Sequence, residues 1–236
     1  MTGSAHGLGF ASARELAARG LRVHVVWRRS AGRVPELERA FPGRVHRADL
    51  AEPGAAAALV AAVLARDGRV DALVHAVGEY LSGPLEGTSA ADATGRDARA
   101  LWESNVATSI AVFDAARAAL RAARGAAVFF GCAGLEGLRG RRETALYAAA
   151  KSALVVVARG WALEEAGHGV RVNVVSPGLI GHENAAADTL DPARAARVPL
   201  GPGRPEDVAA AVAFLCSDEA RHVTGADLAV AGGWML

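Results

Sequence analysis

Tyr147 and Lys151 stand four residues apart in YAAAK, a spacing that puts a phenol and an ammonium on one face of a helix. An ammonium near a phenol favours phenolate. Such a pair can exchange a proton with an alcohol or carbonyl oxygen nearer neutral pH than an unperturbed tyrosine could. With Asn105 upstream in ESNVA, the set points to carbonyl–alcohol redox chemistry. Taken alone, a Tyr and a Lys at this spacing are structural more often than catalytic; a dinucleotide-binding turn in the same chain reverses the balance.

Such a turn is offered by Gly3, Gly7 and Gly9 in TGSAHGLG. Glycines at these places allow a tight turn and close approach of a pyrophosphate to a helix N-terminus. The strand that follows ends on Trp27, Arg28 and Arg29, where sites specific for NAD carry an acid for the adenosine ribose. Two guanidiniums suit a 2′-phosphate instead, so NADP(H) is preferred, with NAD(H) as second choice. The plain alternative for the two arginines is a solvated basic loop end. Asp49 accepts the adenine amino hydrogen or caps the next helix. His75, inside a buried strand, bonds cofactor or backbone, or is a satisfied core histidine. No histidine or carboxylate spacing suggests a metal site, and His6, His182 and His222 have no support as ligands.

Positioning these residues is the task of one α/β domain spanning 1–236. A helix runs from Gly9 to Arg19, and strands cover 21–27, 44–50, 70–77, 126–132 and 170–175, with a last short strand in ADLAVAG. Helices fill 53–66, 97–123, 144–166 and the segment that starts at Pro205. Strand and helix in alternation imply a doubly wound, mainly parallel sheet with helices on both faces. Only Met1 precedes TGSAHGLG, so the strand that should feed this turn is missing. Such a strand would lie at the sheet centre, and two edges would be exposed without it. A late start in the gene is the plain explanation; otherwise the sheet is rearranged or a dimer covers the edges.

A net charge of +1 gives no electrostatic reason to expect nucleic acid or an anionic membrane. Cys132 and Cys216 form no disulfide framework of the secreted type, no signal sequence is visible, and no run reaches about 18 uncharged apolar residues. A cytoplasmic protein is expected.

Over almost its whole length the sequence resembles the short-chain dehydrogenase/reductase family. TGSAHGLG is similar to its TGxxxGxG, HAVG (75–78) to its NNAG, ESNVA to the segment carrying its Asn, and YAAAK to its YxxxK. SPG (176–178), GRPEDVA (203–209) and TGADLAVAGG also match. The resemblance implies a Rossmann-type fold, NAD(P)(H), and a homodimer or homotetramer built on the helices at 97–123 and 145–166. It assigns Tyr147 as acid/base and Lys151 to the nicotinamide ribose and to lowering the Tyr147 pKa. Asn105 would position a proton-relaying water, and Gly78, Pro177 and Gly178 would contact the cofactor.

The sequence departs from the family at the active-site serine. The strand before the Tyr147 helix ends FFGCAG, so Gly131 or Cys132 takes that place. A glycine offers only its backbone, and a thiol donates more weakly than a hydroxyl. Thr144 is a substitute donor or a helix cap. HAVG lacks both asparagines, His182 replaces a threonine, and Ala231 replaces an acid. The RRS after the second strand resembles the pteridine reductases. The expected activity is NADPH-dependent reduction of a small carbonyl or related unsaturated substrate, with Tyr147 as proton donor. The substrate loops would be 79–96, 133–143 and 179–199, where Arg139, Arg141 and Arg142 grip an anionic substrate or form a solvated face. Trp234 and Leu236 would pack at a subunit interface or close the partner's pocket. The competing expectation is a dinucleotide sensor or scaffold with little catalysis.

Overall fold

Short runs rich in Val, Ala and Phe make the strands, and the Ala- and Leu-rich segments between them make the helices, in accord with their propensities. The computed structural model describes residues 1–86, 98–137, 139–182 and 191–235. In chain order come α1 (Gly7–Ala18), β1 (Val25–Trp27), α2 (Val34–Ala40), β2 (Val45–Arg47), α3 (Ala55–Asp67), β3 (Ala72–His75) and α4 (Ala98–Trp102). Then follow α5 (Thr108–Ala123), β4 (Ala126–Phe130), α6 (Ala145–Glu165), β5 (Arg171–Pro177), α7 (Pro192–Ala195), α8 (Pro205–Cys216) and β6 (Asp227–Val230).

All pairings are parallel, β1 with β2 and β3 through β6 in sequence order. One buried cluster joins α3, α5 and α6 to the sheet through Leu59, Phe113, Phe129 and Trp161. The other joins α1, α2 and α8 through Leu16, Leu37, Val128 and Val212. This is the doubly wound arrangement, and β4 is buried along all its residues, as a strand covered on both faces must be. Residues 145–168 are long and apolar enough to cross a membrane, with mean hydropathy 1.3. In this fold they are a core helix, with Leu154, Ala158 and Trp161 against the sheet.

Several elements differ from the sequence expectation, among them α7 (Pro192–Ala195), a single turn of helix in a stretch that reads as loop. The helix α2 was unforeseen, being only seven residues long, too short to show a helical period. The expected helix 97–123 is interrupted by a π turn at Glu103–Ala107, and Asp97 lies outside the described residues. The hydroxyls of Thr108 and Ser109 donate back to the carbonyls of Ser104 (2.8 Å) and Asn105 (2.9 Å). These bonds accompany the widened turn.

The strands expected at 21–27 and 70–77 do not pair directly. Thr2 stands between them, in a parallel bridge to Val26 on one side and His75 on the other. Its N–H donates to Val74 O (2.9 Å), its carbonyl accepts from Ala76 N (3.1 Å), and Ser4 N donates to Val26 O (3.3 Å). Of the expected strand 21–27 only the last three residues enter the ladder, since among the described residues no strand pairs with Leu21–Val23. Below Thr2 the two halves of the sheet part around a cavity of about 320 Å³ lined by Leu16, Val23, Val60, Leu73 and Val112.

Candidate active site

At the carboxyl ends of the strands the loops surround a cleft of about 1230 Å³. The glycine turn forms one wall. A Cβ on Gly3 (φ +70°) would fall 2.5 Å from Ala76 O, and one on Gly9 would fall 2.0 Å from Gly3 O. Only glycine therefore fits, and the turn delivers the chain into α1, whose N-terminus at Gly7 opens on the cleft. A Cβ on Gly7 would stand 3.1 Å from His182 Nδ1. His182 thus closes over the turn, a contact that sequence spacing does not show. His6 Nε2 and Ser30 Oγ lie 2.8 Å apart and tie the turn to the end of β1.

Arg28, Arg29 and Asp49 line the same cleft beside β1 and β2. Arg28 is already engaged by two carboxylates, Glu79 at 3.3 Å and Asp49 at 3.6 Å, while Arg29 is exposed. Asp49 Oδ1 accepts from Ala51 N (3.2 Å). It stabilises the turn after β2 and does not cap α3, whose N-cap is Gly54.

Tyr147 and Lys151 share one face of α6 and both line the cleft. Lys151 Nζ donates to Phe130 O (2.7 Å) and lies 5.7 Å from the Tyr147 ring centroid. Burial pushes the Lys151 ammonium down to about 8 and the Tyr147 phenol well above its ordinary value. Desolvation dominates at the Tyr147 phenol, and the Lys151 ammonium points to a carbonyl. Asn105, fully buried in the π turn, donates from Nδ2 to Leu101 O (3.0 Å) and Glu79 O (3.1 Å). Its Oδ1 is buried and has no hydrogen-bond partner among the described residues. A Cβ on Gly78 would lie 2.2 Å from that oxygen and 3.0 Å from Lys151 Nζ, so an acceptor and an ammonium border one small gap. Pro177 and Gly178 complete this wall at the end of β5. A Cβ on Gly178 would fall 2.7 Å from Ala231 Cα, which accounts for a glycine there.

Gly131 and Cys132 both border the cleft after β4. The volume above Gly131 is taken by Ser176, so Cys132 carries the side chain at this strand end. Burial raises its thiol pKa, and the Arg141 guanidinium beside it pulls the other way. Arg141 Nη2 donates to Ala133 O (2.8 Å) and Gly134 O (2.7 Å), whereas Arg142 has 93% of its side chain exposed. Arg141 and Arg142 thus both border the cleft, Arg142 from its solvated rim, while Arg139 is exposed outside that lining. Thr144 occupies the N-cap of α6 through its backbone, with no cap bond from its hydroxyl.

His75 is a core residue, its ring between Thr2 Oγ1 (2.7 Å) and Thr108 Oγ1 (3.3 Å). Burial lowers its pKa to about 3, so it is neutral. Trp234 packs within its own chain under Arg197 and Arg194 (5.1 and 5.9 Å to the ring centroid); Leu236, like residues 87–96, 138 and 183–190 of the expected substrate loops, lies outside the described residues. Sequence reasoning missed Tyr80, whose ring meets Tyr147 edge-on at 5.0 Å. Its place directly after HAVG and Glu79 was the available signal.

A family model described as enoyl-(acyl carrier protein) reductase matches residues 3–235. The chain is 35% identical to the (5R,7aS)-5-hydroxy-7a-methyl-1-oxo-2,3,5,6,7,7a-hexahydro-1H-indene-carboxyl-CoA reductase of Mycobacterium tuberculosis, over 95% of this chain and 87% of the relative. It is 34% identical to the L-fucose dehydrogenase of Bos taurus, over 99% and 87%. Among solved structures it resembles a blue fluorescent protein from a metagenomic library in complex with NADPH. There the TM-score is 0.87 and the identity 33%, over 100% of this chain and 96% of that one.

Proposed function

The chain belongs to the short-chain dehydrogenase/reductase family of oxidoreductases, and from that premise we propose that it is an NADPH-dependent reductase of a small carbonyl or related unsaturated compound. The observation that carries this reading is that Tyr147 and Lys151 line one cleft with Gly78, behind which the orphaned Asn105 Oδ1 is buried. The glycine turn fits a dinucleotide, because its α-carbons leave room where side chains would collide.

Gly3, Gly7 and Gly9 with the N-terminus of α1 would hold the pyrophosphate, Arg28 and Arg29 the 2′-phosphate, and Asp49 the adenine. Gly78, Pro177, Gly178, Tyr147 and Lys151 would hold the nicotinamide end. Bound there, NADPH supplies the hydride. Tyr147, kept protonated by burial, donates a proton to the oxygen on which charge develops. The Lys151 ammonium stabilises the phenolate left behind, and the gap between it and Asn105 Oδ1 suits one water through which the proton is replaced.

A cytoplasmic homodimer or homotetramer is part of the proposal. Val156 and Leu163 on α6 are 68% and 84% exposed, and Trp102 on α4 is 49% exposed, an apolar set that a partner would cover. NADPH consumption over ketones, quinones, dihydropteridines and enoyl thioesters tests the activity. Turnover that falls at least about a hundredfold in Tyr147→Phe is expected; turnover that survives it intact sinks the proton-transfer role.

A further inference from the structure

On the reductase reading above, we propose that Arg141 selects the substrate, and that the substrate is an oxo acid whose carboxylate docks on the Arg141 guanidinium while its carbonyl meets Tyr147. Arg141 folds back along the loop after β4. Its Nη2 donates to Ala133 O (2.8 Å) and Gly134 O (2.7 Å). A Cβ on Gly134 would lie 3.1 Å from that nitrogen and 2.8 Å from Met235 Cβ, so the loop and Met235 hold the guanidinium in one place. Only Nη2 is spent on these carbonyls. Among the described residues no carboxylate pairs with Arg141, and no oxygen accepts from its Nε or Nη1.

Other arginines that line the cleft are already matched. Arg28 meets Glu79 (3.3 Å) and Asp49 (3.6 Å), and Arg142 meets Glu143 (3.7 Å). A half-buried guanidinium with a fixed direction and no acid beside it is a ready partner for a carboxylate, which it grips with two parallel bonds.

Position separates this site from the cofactor's phosphates. Arg28 and Arg29 follow β1, while Arg141 stands beside the end of β4 and the tail after β6, with β3 between them in the sheet order. Arg141 is therefore on the side of the reacting groups. It hydrogen-bonds the Cys132 thiol; burial raises that thiol and the Tyr147 phenol, and in both the Arg141 charge pulls the other way. The surrounding lining is aromatic and apolar. Tyr80 meets Tyr147 edge-on at 5.0 Å, and Trp234 and Met235 lie across from them in the lining. Such walls suit a short carbon skeleton and leave Arg141 as the place for its charge. The carboxylate is unchanged in the reaction. The carbonyl carbon accepts hydride and its oxygen accepts the Tyr147 proton, giving the hydroxy acid and NADP+.

Steady-state kinetics with 2-, 4- and 5-oxo acids, each against its primary amide, gives the first readout. One acid should exceed its amide by at least about tenfold in kcat/KM. Arg141→Met should abolish that preference, mainly by raising KM for the acid. Arg141→Lys should restore part of it, and Arg139→Met, at an exposed position outside the cleft lining, should keep it whole. Calorimetry on Tyr147→Phe with NADPH present reads the grip without turnover. The acid should bind at least about tenfold tighter than the amide, and adding Arg141→Met should remove the difference. Acid and amide that bind alike, an acid that does not bind at millimolar concentration, or a preference that survives Arg141→Met overturns the proposal. Selective acid binding with no reduction by the wild type supports the grip and sinks the reductase reading alone.

Discussion

Ser176 Oγ occupies the space that a side chain on Gly131 would need: a Cβ built there stands 2.3 Å from that oxygen and 2.9 Å from Val174 Cγ1. Ser176 is itself fully buried and donates to Asp227 Oδ1 (2.5 Å). The two positions after β4 are therefore not interchangeable. Gly131→Ser should destabilise the fold by about 1–3 kcal/mol through overpacking and leave turnover no better. Cys132→Ser places a stronger donor at the position that borders Tyr147, and kcat should rise several-fold, up to about tenfold, equivalent to about 1.4 kcal/mol. Urea melts and steady-state kinetics on both variants distinguish the sites. Faster turnover in Gly131→Ser would contradict the packing argument.

Arg28 shares its charge between Glu79 and Asp49, while Arg29 is exposed. Arg29→Ala should weaken NADPH by about tenfold and NADH little, because only the former carries the extra phosphate. Glu79→Gln should tighten NADPH by a few-fold by releasing Arg28. Fluorescence titration with each nucleotide reads both effects; equal losses for the two nucleotides in Arg29→Ala would remove the phosphate role.

Lys151 links stability to pH. Its folded value, pushed by burial from 10.5 to about 8, lies below its unfolded value, so the unfolded chain holds the extra proton between about pH 8 and 10.5. The charge therefore disfavours folding below about pH 8, and that cost is relieved as pH rises through the window, by roughly 3 kcal/mol in full. Lys151→Met should gain stability over wild type at pH 7 and lose most of that advantage by pH 10. A difference independent of pH would show that the ammonium is compensated in place.

Glu165 is fully buried between α5 and α6. Arg121 holds it through Nε (2.7 Å) and Nη2 (2.9 Å), and Arg117 through Nη1 (2.8 Å). Glu165→Ala should cost roughly 1–2 kcal/mol, because it removes a buried acceptor of three charge-assisted bonds while Arg117 keeps Asp114 and Glu164 and Arg121 stays partly solvated. Thermal unfolding checks this. A cost below 1 kcal/mol would mean that water replaces the carboxylate.

The alternation of apolar strands with Ala-rich helices made the α/β fold readable, since both faces of β4 and β5 are buried and their residues say so. Gly3, Gly7, Gly9, Tyr147 and Lys151 were readable because their spacing is local. What escaped was set by distant contacts. The direction of Lys151 Nζ depends on the Phe130 carbonyl, the choice between Gly131 and Cys132 on Ser176, and the fate of Arg28 on Glu79. The π turn around Asn105 has no signature in ESNVA, and the hydroxyl back-bonds that accompany it come from Thr108 and Ser109, outside that motif.

Thr2 has a mechanical consequence. Among the described residues the backbone hydrogen bonds that tie the β1–β2 ribbon to β3 run through Met1–Ser4, with Thr2 the residue bonded to the β3 segment, although side-chain packing around α1 and α8 is continuous. Cooperativity in a folded chain follows the density of such links. The ribbon with α2 should thus behave as a separate opening unit, released before β3–β6. The half of the cleft that carries Arg28 and Arg29 would loosen while Tyr147 and Lys151 remain fixed.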